Sequence, residues 1–103
     1  MILNSLDYFS KNREKMKKLV LIGGIFNALY AEQIEFFEKA KKLGDTLAVH
    51  VAGEKKGILR SRKRAELVSA IKHVDIVFIS NKDIGSKSIM EKIKPDLFYM
   101  FPH

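Results

Sequence analysis

The sequence predicts an α/β fold, a parallel sheet of four strands with helices packed on both faces. Three observations carry that expectation. Four short runs (residues 19–22, 46–52, 76–79 and 97–101) are apolar almost throughout, the pattern of strands buried on both faces. Stretches with helical spacing of apolar residues alternate with them, as in successive strand–helix units. The 103 residues, 47% apolar and 30% charged, suffice for one folded domain with a core. No repeat, low-complexity tract or linker is visible, so residues 1–103 read as one unit, with 1–18 as a leading helix and connection.

Asn4 or Ser5 is expected to cap a first helix running to about Lys15, with Leu6, Phe9 and Met16 as its apolar stripe. The first strand, 19–22, runs into Gly23 and Gly24, which allow a tight turn and close approach of a ligand to the backbone. Residues 31–43 form the strongest predicted helix, with Ile34, Phe37 and Ala40 at helical spacing, Lys41 and Lys42 in the last turn and Gly44 as its C-terminal cap. The second strand, 46–52, leads to a basic, glycine-punctuated loop over 53–61. Ser61 is the expected cap of a helix over 62–73, and Leu67, Val68, Ile71 and Val74 are its apolar stripe. The third strand, 76–79, ends in a turn over 81–86. A short helix over 87–94 stops at Pro95, before the final strand at 97–101.

Composition removes several function classes. The absence of cysteine excludes disulfides, thiolate metal sites and a cysteine nucleophile. The apolar stretch from Leu19 to Ala31 is too short to span a bilayer, which needs about 20 apolar residues. Its Gly23, Gly24 and Asn27 suit a strand and turn rather than a leader peptide, so a cytoplasmic protein without a membrane partner is expected. The net charge of +7 is concentrated in Lys11, Arg13, Lys15, Lys17 and Lys18 and in Lys55, Lys56, Arg60, Arg62, Lys63 and Arg64. Such clusters suit an anionic partner: a nucleotide, a phosphosugar or a nucleic-acid backbone. The first cluster reads more simply as a solvated surface.

The segment Gly23-Gly24-Ile25-Phe26-Asn27-Ala28-Leu29-Tyr30-Ala31-Glu32-Gln33 joins the first strand to the second helix. It resembles the phosphate turn of the nucleotidyltransferase superfamily, Gly-x-Phe-Asp-x-x-His-x-Gly-His. Phe37 to Val49, with its Leu43-Gly44-Asp45 corner, resembles the cytidylyltransferase-like branch, especially heptose-phosphate adenylyltransferase and glycerol-3-phosphate cytidylyltransferase domains. Arg64 to Val68, Val74 to Val77 and Lys94-Pro95-Asp96-Leu97-Phe98 follow that branch in order. The resemblance implies a Rossmann-like sheet of four strands in the order 3-2-1-4. A nucleotide would cross the carboxyl ends of strands 1 and 4, with its phosphates near the helix N-terminus. It further implies nucleotide or phosphate contacts at Gly23, Gly24, Ile25, Phe26, Gln33, Lys56 and Arg64.

The chemistry departs from the pattern. Gly24 and Phe26 match, but Asn27 replaces the aspartate, and Tyr30, Glu32 and Gln33 replace His, Gly and His. In the family the two histidines donate to phosphate oxygens as charge builds on pyrophosphate. Tyr30 and Gln33 offer only neutral hydrogen bonds, about half as strong as charge-assisted ones, so ground-state binding can survive while catalysis falls. Glu32 adds bulk and negative charge in the first turn, where a carboxylate stabilises the helix by about 0.3–1 kcal/mol. That reading is favoured over a new catalytic acid. If its carboxylate occupies the anion position, transfer is blocked; if it turns to solvent, phosphate can still bind. The family's Lys-Gly-Gly-Asp-like and Ile-Ser-x-Thr-type segments have no counterpart after Met100-Phe101-Pro102-His103, and the loop after strand 2 is shorter.

The remaining candidates are modest. His50 is expected as a hydrogen-bonded core or rim residue, His73 as a helix-end residue and His103 as mobile; their spacing gives no metal site. Phe36, Phe37, Phe98, Tyr99 and Phe101 read as core or interface before base-stacking platforms. The expected function is therefore a degenerate nucleotidyltransferase-fold protein, inactive or nearly so, retaining weak binding of CTP or ATP or serving in assembly as a homodimer. The alternative is an active divergent cytidylyl- or adenylyltransferase on a phosphosugar or phosphoalcohol, using Tyr30, Gln33, Lys56 and Arg64, with Mg2+ required only in that case. A basic nucleic-acid-binding module ranks last, because no recognition motif or interleaved exposed aromatics accompany the charge.

Overall fold

A computed structural model describes residues 1–3, 5–53 and 60–101. The strands are β1 (Ile2–Leu3), β2 (Leu19–Gly24), β3 (Thr46–Ala52), β4 (Ile76–Ser80) and β5 (Leu97–Met100). The helices are α1 (Asp7–Asn12), α2 (Ala31–Lys41), α3 (Ser61–Ser69) and α4 (Lys87–Ile93), with a 3-10 turn, Arg13–Met16, after α1. All pairings are parallel and the sheet order is β1-β4-β3-β2-β5. The expectation of four strands is corrected to five. The four expected strands keep the order 3-2-1-4, and Ile2–Leu3 extends the sheet beyond β4. Two residues are too few for any periodicity, so only the pairing itself, including the Val77 N–H on the Met1 carbonyl at 2.8 Å, reveals the strand.

Successive residues of each central strand feed opposite faces. Val20, Ile22, Leu47, Val49 and Val51 pack with Phe37 and Ala40 of α2 and Ala65 and Val68 of α3. Leu19, Leu21, Ala48 and Phe78 pack with Phe9 of α1 and Ile89 and Ile93 of α4. This is why the strands read as continuous apolar runs. Among the described residues no helix is long and apolar enough to cross a membrane.

Several boundaries move for local reasons. Asn4 lies outside the described residues, while Ser5 Oγ accepts the Asp7 N–H at 3.2 Å. The first helix ends at Asn12 and tightens into the 3-10 turn instead of continuing to Lys15. Arg60, not Ser61, is the cap residue of α3, and Ser61 is buried as its first helical residue; the helix closes at Ser69. Gly44 is not in the left-handed region. It is required because a Cβ there would meet the Lys18 carbonyl oxygen at 2.7 Å and Val20 at 2.8 Å. The left-handed cap belongs instead to Lys94, at the end of α4 (φ 53°), immediately before Pro95.

One device recurs at the amino edge of the sheet. Asp45, Asp75 and Asp96 immediately precede β3, β4 and β5. Each carboxylate accepts a backbone N–H from the start of the neighbouring strand: Lys18 at 3.0 Å, Leu47 at 2.8 Å and Leu19 at 2.7 Å. Each aspartate N–H returns a bond to the carbonyl of that same residue, at 2.8, 3.0 and 2.9 Å. The reciprocal pair fixes strand register before the ladder begins. Asp96 also binds Arg13 Nη2 at 2.9 Å. The Leu19 N–H first, and the Arg13 guanidinium second, hold the Asp96 pKa below its ordinary 3.8. A lowered folded-state pKa stabilises the fold above the unfolded value and loses that contribution as pH falls through the folded value. Asp96→Asn is therefore expected to shrink the drop in urea midpoint between pH 7 and pH 3; an unchanged drop would remove this assignment.

Candidate functional site

β2 delivers its backbone to the carboxyl edge of the sheet and ends at Gly24. The space over Gly23 is filled by Ile84, whose Cγ2 lies 2.2 Å from where a Cβ would stand. At Gly24 the equivalent neighbours are Phe101 Cβ at 2.8 Å and the Phe26 ring at 2.9 Å. Close approach to the two glycines is thus made by protein side chains. Phe26 turns the chain with φ at +63°, a conformation rare for a bulky residue. Its ring is 3% exposed, with ring centroids 4.7 Å from Phe101 and 5.9 Å from Phe37. Phe101 stacks on Phe37 at 5.4 Å, and Phe36 meets Tyr99 and Phe101 edge-on. These aromatics anchor the turn from beneath.

Two adjoining clefts open on this edge and share Ile25 and Phe101. The first, about 160 Å³, lies over the ends of β2, β3 and β4 and is walled by Gly24, Gly53, Asn81, Asp83 and Ile84. The second, about 220 Å³, is lined by Ile25, Phe26, Asn27, Ala28, Tyr30, Gln33 and Phe101. The turn positions of the motif (Asn27, Tyr30 and Gln33) are therefore brought together around one cleft. Tyr30 is 64% exposed, and its N–H donates to Gln33 Oε1 at 2.8 Å. Gln33 so closes the first turn of α2, leaving its amide NH2 as the donor for a ligand. Glu32 is exposed, and its side chain makes no hydrogen bond or ion pair with a described residue. Its carboxylate does not cap the helix, and its charge acts on α2 only through the dipole.

Arg64 is placed differently from the other candidates. It is fully buried, and its guanidinium donates to three carbonyls: Ile25 at 2.9 Å, Ala52 at 2.7 Å and Gly53 at 2.8 Å. It joins the exit of β2 to the exit of β3 underneath the clefts. Lys56 lies outside the described residues, as do Lys55 and His103. The rest of the basic clusters is dispersed. Arg13 is tied to Asp96 and to the Lys17 and Lys94 carbonyls, while Arg62 and Lys63 face Glu66 at 3.6 and 3.4 Å.

His50 is buried beside β4, its ring stacked on Phe78 at 4.8 Å and its Nε2 3.3 Å from the Ser80 carbonyl. Its Nδ1 has no partner among the described residues, and burial lowers its pKa below 6.5, favouring neutral imidazole. Among the described residues no cluster of His, Asp and Glu could hold a metal ion. Sequence reasoning missed Gly53, Asn81 and Ile84. Their only signal was the polar turn following a strand at the carboxyl edge, where α/β proteins place ligands.

No family model matches the chain. It is 37% identical over 98 residues to a protein named FAD synthase from Thermococcus kodakarensis, covering 86% of this chain and 66% of that one. A FAD synthase from Thermococcus onnurineus is 36% identical over 100 residues, at 89% and 67% coverage. The bifunctional protein HldE of Desulfatibacillum aliphaticivorans is 31% identical over 94 residues, at 82% and 19%. Among solved structures, the lipopolysaccharide core biosynthesis protein from Thermoplasma volcanium superposes with a TM-score of 0.71 at 27% identity, covering 80% of this chain and 72% of that one. The chain spans about two thirds of the length of the FAD synthases it matches.

Proposed function

The chain belongs to the cytidylyltransferase-like nucleotidyltransferase family, and from that premise we propose that it binds a nucleotide while transferring little or none of it. The observation that carries this reading is the lining of the second cleft. Where the family motif has two imidazoles, this chain presents an exposed phenol, Tyr30, and an amide, Gln33, whose oxygen is already engaged. The described residues lining that cleft include no cation. Neutral donors can hold a phosphate in the ground state, but charge developing on a leaving pyrophosphate needs stronger, preorganised partners. The exposed Glu32 carboxylate adds opposing charge nearby.

Relatives named FAD synthase favour an adenine nucleotide over a cytosine one. A homodimer is part of the same reading, because among the described residues β5 lies at the edge of the sheet and its Tyr99 and Met100 are exposed. The binding claim is tested by thermal denaturation with ATP, CTP and inorganic pyrophosphate. Ligand at about 100 times its Kd contributes about 2.7 kcal/mol, so ATP should raise Tm by several degrees and CTP by less. No rise with any of the three would defeat the nucleotide-binding claim.

A second reading, an active divergent transferase, is favoured by one observation: Glu32 leaves the start of α2 unblocked. On that reading Mg2+ and an acceptor, flavin mononucleotide or a phosphosugar, would be required. The nucleic-acid reading loses ground, since Arg13 and Arg64 are committed to internal carbonyls.

A further inference from the structure

Among the described residues, His50 is the buried side chain left with an unpartnered polar atom, its Nδ1. It is 0% exposed, near the carboxyl end of β3, on the face of the sheet that Leu21, Ala48 and Phe78 share. The Ser80 carbonyl can only accept, so Nε2 carries the ring hydrogen and Nδ1 keeps the lone pair. Protonation leaves the Ser80 bond in place. It adds a second N–H, with charge, to an enclosure that offers it no acceptor.

The walls of that enclosure are unequal in strength. Phe78 stacks on the ring at 4.8 Å and is fixed in the β3–β4 ladder. Gly23, the β2 residue in register with His50, has no side chain, and Ile84 fills its place more closely than a Cβ there would tolerate. The turn that carries Ile84, residues 81–86, is held by local hydrogen bonds. The Lys82 N–H donates to Ser80 Oγ and the Ser86 N–H to the Asp83 carbonyl, each at 3.1 Å. Gly85, at φ 75°, gives this turn a pivot. Ala52, Ser80 and Ile84 also wall the first cleft, so the turn stands between the imidazole and that cleft.

Nothing nearby neutralises an imidazolium. β2, β3 and β4 bring no other titratable side chain to this face. The turn carries Lys82 and Asp83, both exposed. At the surface of α4, Lys87 pairs with Glu91 and Lys92 with Asp7 of α1. Lys11 of α1 is exposed as well, and Tyr8 is half-buried. We propose that His50 is a proton-operated latch on the first cleft: protonation of Nδ1 drives Ile84 off Gly23 and opens the cleft down to the imidazolium. No ligand is needed for this motion, so it is independent of nucleotide binding.

Burial holds the His50 pKa below 6.5, with the Ser80 bond opposing it. Once open to water the ring regains its ordinary value. The closed form is therefore favoured above that value and gives way as pH falls towards the enclosed ring's own. For an enclosed ring that stays neutral, the open population rises about fivefold from pH 6.5 to pH 5.5. The test is NMR of the unmodified chain with a soluble paramagnetic agent, from pH 7.5 down to pH 5. Relaxation enhancement at Gly23 Hα, beneath Ile84, should follow that fivefold rise. In His50→Phe, which keeps an aromatic ring on Phe78 but cannot be protonated, it should stay flat. A Gly23 that remains shielded down to pH 5 in the unmodified chain would overturn the proposal, and so would an undiminished rise in His50→Phe. An equal rise at Phe37, on the opposite face of the sheet, would mean unfolding of the whole domain and would overturn it too. The first measurement needs no substitution, so it decides the matter even where the variant fails to fold.

Discussion

Phe26→Ala is expected to destabilise the domain by about 3–5 kcal/mol, and Phe26→Gly by about 0.5–1 kcal/mol less. The first figure follows from burial: the ring is 3% exposed and packed between Phe101 and Phe37, so truncation leaves a cavity beneath the turn. The second follows from backbone conformation. At φ +63° a Cβ costs roughly 1–2 kcal/mol. Glycine escapes that cost but loses about 0.5–1 kcal/mol of it again to unfolded-state entropy. A domain of this size has about 5–15 kcal/mol in all, so the alanine variant should sit near its folding threshold. Urea midpoints decide the case; alanine equal to or better than glycine would mean that the positive φ carries no strain.

The second large effect concerns chemistry. Rebuilding the motif with Asn27→Asp, Tyr30→His, Glu32→Gly and Gln33→His should raise pyrophosphate release from ATP by at least about 10²-fold. That is the order by which one preorganised donor to a developing charge changes a rate. The change should cost stability. Gln33→His removes the acceptor of the Tyr30 N–H, and Glu32→Gly gives up both helix propensity, about 1 kcal/mol, and a favourable dipole interaction, about 0.3–1 kcal/mol. A rise in rate with a fall in urea midpoint is the expected signature. If the rebuilt chain binds ATP but releases no pyrophosphate, the motif positions are not what limits turnover.

The scaffold was legible because its signals are local and redundant. Continuous apolar runs identified four of the five strands, and the Gly44-Asp45, Asp75 and Pro95-Asp96 corners marked the amino edge. The structure supplies a reason for those corners: each aspartate clamps an amide at or next to the start of a neighbouring strand. They belong to the end of the sheet opposite the clefts, which is why they can persist while the turn changes. β1 was not legible, since two residues carry no pattern.

The site was legible as a place but not as a mechanism. The turn from Gly23 to Gln33 does gather around one cleft. Burial of Arg64 could not be read, because a helix-borne arginine in a basic cluster looks like surface. Gly23 and Gly24 presented the converse problem. Glycine signals close approach without saying of what, and here Ile84, Phe26 and Phe101 are what approach.

The central claim, retained binding without transfer, is tested most directly by incubating the unmodified chain with ATP, Mg2+ and each acceptor while measuring bound nucleotide and released pyrophosphate in the same samples. The expected result is saturable ATP binding with pyrophosphate no higher than in protein-free controls. Sustained release of pyrophosphate, abolished by Tyr30→Phe or Gln33→Ala, would contradict it.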